Sequence, residues 1–141
     1  MNKYKNKKHE EQANEFINEL GKFVLSFERV CESMRYAVIF MLQSQGLSNQ
    51  DMAFVIVGDK SSAELQMLVG ALYMEMPKQD EEDRKTIKAL LKRIKDVTEK
   101  RNILLHNSWN LGESESWGTE ILAVATRFRT KQNAGASIEP H

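Results

Sequence analysis

Apolar side chains recur three and four positions apart from Phe16 through Leu20, Phe23, Val24, Phe27, Val30, Cys31, Met34, Val38 and Met41 to Leu42. That spacing keeps them on one face and predicts a single helix from about Glu11 to Gln45, ended by Gly46. At 1.5 Å per residue such a helix spans roughly 50 Å, more than a small core requires, so part of its apolar face is expected to meet another subunit. The stretch Asp51-Met52-Ala53-Phe54-Val55-Ile56-Val57 fits a short helix or a buried strand, and the helix is preferred. Ser61-Ser62-Ala63-Glu64 has the form of a capping box and starts a helix through Leu65, Leu68, Val69 and Leu72 to about Met76, where Pro77 stops it.

Asp80-Glu81-Glu82-Asp83 places acids where the dipole of a following helix favours them; binding a cation is the other use of such a cluster. From Ile87 the three-and-four pattern runs through Leu90, Leu91, Ile94 and Val97 and returns at Leu104 and Leu105, which predicts a helix from about Glu81 to His106 or Ser108. After Trp109 the period changes. Val124, Thr126 and Phe128 alternate with Ala125, Arg127 and Arg129, as in a half-buried strand, and pairing with the segment around Asn107 to Leu111 would make a small C-terminal β-hairpin. A helix across Glu120 to Thr130 is the competing reading. The sum is a mainly all-α domain over residues 11–131, between a basic flexible tail, 1–10, and a disordered tail, 132–141.

One helix breaks its own pattern. Arg101 falls on the apolar phase that continues from Ile94 and Val97, so it points toward other protein, where a charge needs a partner, ordered water or a ligand anion. Asn102 lies about 100° round from Arg101, and His106 stacks one turn beyond Asn102. Imidazole titrates near neutrality, guanidinium matches two phosphate oxygens, and a carboxamide can fix a tautomer or donate to phosphate. Together they suit phosphodiester cleavage without a metal. A plainer reading pairs Arg101 with Glu28 or Glu32 and leaves His106 as a residue that the helix dipole favours.

Arg101-Asn102, three residues and then His106, near the end of a long helix, resembles the Arg-x4-6-His motif of HEPN domains. The resemblance implies an antiparallel helical bundle with long first and motif-bearing helices. It also implies a metal-independent endoribonuclease of toxin-antitoxin, abortive-infection or related defence systems, with Arg101, Asn102 and His106 catalytic. Two protomers would face their motifs toward each other in a homodimer, forming a composite site for RNA, and a neutralising antitoxin is a further implied partner. HEPN toxins modified by a nucleotidyltransferase carry a tyrosine two positions after the histidine; here that position is Ser108, so this mode of control is not implied.

Composition narrows the rest. A chain of 141 residues with 41% hydrophobic and 28% charged residues is expected to form one globular domain. Its formal net charge of zero supplies no global attraction for nucleic acid, so RNA contact falls to local groups. Lys100, Asn107, Trp109, Arg127 and Arg129 are the expected RNA-binding residues, and Lys88, Lys92, Arg93 and Lys95 either steer the backbone or form a solvated face. Cys31 is the single cysteine, which excludes an internal disulfide and fits a reducing compartment. No cofactor motif is present: Gly58 stands outside any glycine-rich phosphate loop, and His9, His106 and His141 show no zinc spacing. With no signal-like or membrane-spanning run, a cytoplasmic location is expected. The alternative to the nuclease is a non-catalytic helical module that binds RNA, a nucleotide or a protein through the same sector. A purely structural dimerisation protein is the third reading.

Overall fold

The computed structural model describes residues 7–106 with their side chains and residues 108–113, 121–131 and 135–140 as backbone. Its elements are α1 (Lys7–Ser44), α2 (Gln50–Val57), α3 (Ser62–Glu75) and α4 (Glu81–His106), followed by β1 (Ser108–Glu113), β2 (Ile121–Lys131) and β3 (Gly135–Pro140). The predominantly helical class matches the periodicity. The chain forms two compact units, one of residues Leu25–Lys100 and the other of the chain up to Val24 together with the chain from Arg101 onward.

In the Leu25–Lys100 unit the core is built on α1. Phe27, Cys31, Met34, Val38, Ile39 and Met41 join Ala53 and Val57 of α2 and Leu65 and Val69 of α3, with Leu91, Ile94 and Val97 of α4 partly buried against them. Cys31 is a buried core thiol, as its phase implied. Segment 51–57 resolves as helix: Asn49 Oδ1 accepts from the Met52 amide at 3.2 Å, a side-chain cap that favours helix over strand.

The end of α1 explains the role of Gly46. Its amide donates to Gln43 O at 3.0 Å and the Leu47 amide donates to Leu42 O at 3.1 Å, the two bonds of a Schellman motif. Gly46 has φ 102°, in the left-handed region where a side chain is strained. We expect Gly46→Ala to lower stability by about 1 kcal/mol and Gly21→Ala, inside α1 with open space around it, to raise it by about 0.5–1 kcal/mol, both measured by urea denaturation.

The capping box of α3 is formed. The Ser61 amide and hydroxyl donate to Glu64 Oε2 at 2.8 and 2.7 Å, and the Glu64 amide donates to Ser61 Oγ at 3.3 Å. Those two donations, the backbone one first, hold the Glu64 carboxyl below its ordinary value of 4.5. Because the folded value is lowered, the stabilisation is complete above the unfolded carboxylate value and disappears as pH falls through the folded one. The melting difference between wild type and Glu64→Gln should therefore be full at neutral pH and shrink to nothing in acid. Ser61→Ala should cost about 1 kcal/mol at neutral pH.

At the other end of α3, Gln79 Nε2 donates to the carbonyls of Tyr73 and Met76, closing the helix before Pro77 can be accommodated. Asp80 then caps α4, accepting from the Asp83 amide at 2.7 Å, with Glu81, Glu82 and Asp83 in the first turn.

Within the other unit, α1 begins at Lys7, so residues 7–10 are helical rather than part of a tail. An exposed Lys7–Glu11 pair at 3.9 Å spans the first turn. His9, expected in that tail, is 2% exposed and lies on the same face as buried Ala13. β1 pairs antiparallel with β2, Ser108 opposite Thr126 and Glu113 opposite Ile121, so the hairpin describes this segment and the competing helix does not. β3 extends the sheet in the order β1-β2-β3, with Thr126 opposite Pro140 and Lys131 opposite Gly135. Residues 135–140 thus pair as a strand where a disordered tail was expected.

Candidate functional site

Helical phase delivers the three motif residues to different environments. Arg101 follows Ile94 and Val97 on the inward side of α4 and is half-buried, as they are. Asn102 and His106 lie off that phase and are exposed. Arg101 Nη1 donates to Asn102 Oδ1 at 3.3 Å, a contact between neighbours that occupies the carboxamide oxygen. The Asn102 amide group retains its two donors, which suit a phosphate or carbonyl oxygen. His106 is the last residue of α4, in the turn where the helix dipole favours a cation.

The structure therefore joins Arg101 to Asn102 by a hydrogen bond and presents His106 one turn beyond Asn102 on the same helix. These are the ingredients for binding an anion at a guanidinium and moving a proton at an imidazole. α4 has no fully buried side chain, so its motif-bearing end is a surface.

The proposed RNA-contacting residues fall on α4 and on the strands that follow it. Lys100 is exposed on α4, as are Lys88, Lys92, Arg93 and Lys95. Trp109 lies opposite Ala125, Arg127 opposite Glu139 and Arg129 opposite Ser137 in the sheet register. Asn107 lies outside the described residues.

Three polar features escaped the sequence reading. Arg35 donates through Nε to Val57 O, the last carbonyl of α2, and through Nη2 to Lys60 O in the loop before α3, both at 3.3 Å. Its position next to the apolar stripe carried no sign of that partner. Ser62, Gln66 and Thr98 form a small network: Thr98 Oγ1 donates to Ile94 O at 2.8 Å, and Gln66 Nε2 donates to both hydroxyl oxygens at 3.1 Å. With its own proton engaged, Thr98 is the acceptor for Ser62 Oγ, 2.9 Å away. Burial of His9 was legible in principle, since it lies seven positions before Phe16 with Ala13 between, one helical stripe extended backward.

Fold and site define a mainly α-helical bundle protein with an arginine–asparagine–histidine cluster at the end of a long helix. No described helix is long and apolar enough to cross a membrane. Set against family models, curated proteins and solved structures, the chain has no match.

Proposed function

We propose that this protein is a HEPN-like, metal-independent endoribonuclease. The observation that carries the reading is the Arg101–Asn102 hydrogen bond beside exposed Asn102 and His106 at the end of α4. In the proposed reaction the substrate's own 2′-hydroxyl attacks the adjacent phosphorus and the bond to the 5′-oxygen breaks. The hydroxyl proton leaves as the new P–O bond forms, and the departing oxygen gains a proton, so the products are a 2′,3′-cyclic phosphate and a 5′-hydroxyl. His106 assists proton transfer at the attacking or departing oxygen, Arg101 meets the charge developing on the phosphate, and Asn102 orients. A second protomer would supply the facing half of a composite site. A defence or toxin setting, with a neutralising partner, belongs to the same reading. The test is RNA cleavage in a metal chelator by wild type compared with Arg101→Ala and His106→Ala, each shown to be folded.

A second reading, a binding module without catalysis, is favoured by one specific observation. Met52, Phe54, Val55 and Ile56 of α2 are 57%, 43%, 81% and 41% exposed, although a short helix this apolar is normally covered. A folded protein that binds RNA or a protein and never cleaves would establish it.

A further inference from the structure

The face of α1 opposite the core carries a stripe of its own. At 100° per residue Leu25, Arg29, Glu32 and Tyr36 fall within roughly 60° of arc, on the far side from Phe27, Met34 and Val38. Leu25 and Tyr36 are 66% and 56% exposed, and Arg29 and Glu32 are exposed between them. All four line a groove of about 580 Å3 whose opposite wall includes Phe54 and Gly58. Among the described residues, neither Arg29 nor Glu32 has an ion-pair partner.

The order of these residues is symmetric. Leu25 and Tyr36 are equidistant from the midpoint between Val30 and Cys31, and Arg29 and Glu32 share that midpoint. An antiparallel copy of α1 related by a twofold axis there sets Leu25 against the partner's Tyr36 and Arg29 against the partner's Glu32, and each contact occurs twice. Parallel alignment in register would instead oppose arginine to arginine and glutamate to glutamate. A self-complementary patch of this kind is what an isologous twofold interface requires. Apolar pairs flanking central opposite charges supply both burial and register.

We propose that this α1 stripe is the interface with a second copy of the chain, paired antiparallel about the point between Val30 and Cys31. The proposal deepens the nuclease reading, on which it rests for the need of a second copy, by naming the surface that recruits it.

Sedimentation of the full chain over a concentration series tests the pairing without RNA, so its failure is separable from failure of the nuclease. Wild type should be a dimer. Arg29→Glu or Glu32→Arg alone should weaken it on the order of a hundredfold, since each places two like-charge contacts at the centre. The double exchange R29E/E32R should restore it. Circular dichroism melts establish that each variant is folded, and Leu25→Asp replaces any that is not, with the same loss expected. A wild type that stays monomeric overturns the pairing. So do single variants that still dimerise like wild type, or a folded double variant that remains monomeric.

Discussion

Replacing His106 with alanine should lower metal-independent RNA cleavage by roughly two to four decades, the range that a positioned acid-base group contributes. The melting temperature should hardly move, because His106 is exposed and surface substitutions usually change stability by less than about 0.5 kcal/mol. The two readouts together separate chemistry from structure. Arg101→Ala is the informative companion: the half-buried side chain contributes packing through its aliphatic stem as well as charge. On the nuclease reading, activity is lost in a protein that still melts cooperatively. If Arg101 is purely structural, its removal lowers the melting temperature and the His106 variant cleaves or fails to cleave just as wild type does. Arg101→Lys sharpens the distinction, since it keeps the charge and removes the planar fork that grips two phosphate oxygens.

The largest expected effect on stability lies at Leu65. Its side chain is 0% exposed, in a cluster with Val38 and Val57, which are equally inaccessible. Leu65→Ala removes buried methyl groups and leaves a cavity that its neighbours fill only partly, at a cost of about 2–5 kcal/mol. Against a total stability on the order of 5–15 kcal/mol, that is a large fraction. Urea denaturation followed by circular dichroism should show the midpoint fall with little change in slope. Leu25→Ala is the contrast, because Leu25 is exposed on the opposite side of α1 from the core. Within one protomer it should cost almost nothing, so a large loss there would report on association.

The helices were legible because each has strong local signals that agree with its tertiary role. The α1 periodicity places Phe27, Cys31, Met34 and Val38 in the core, Gly46 takes the left-handed position that ends the helix, and Ser61 and Glu64 close the box that begins α3. The hairpin was legible from alternation around Val124 to Arg129, which pairs with the segment after His106. The start of α1 was not, since Lys7 to Glu10 carry no apolar side chain to continue the stripe; in the structure His9 is buried there and Lys7 pairs with Glu11. The Ser62–Gln66–Thr98 network joins two helices across more than thirty positions of sequence, a distance over which no local pattern operates. At the candidate site, phase gave the environment of Arg101, half-buried beside exposed Asn102 and His106, while the contact between Arg101 and Asn102 depends on side-chain rotamers that periodicity does not specify.

The most direct measurement is incubation of end-labelled RNA with wild-type protein in EDTA, followed by analysis of the ends produced. A ribonuclease centred on Arg101, Asn102 and His106 should cut internally and leave 2′,3′-cyclic phosphate and 5′-hydroxyl termini. Intact RNA, with the protein folded and dimeric, would contradict that function and leave the binding module as the better description.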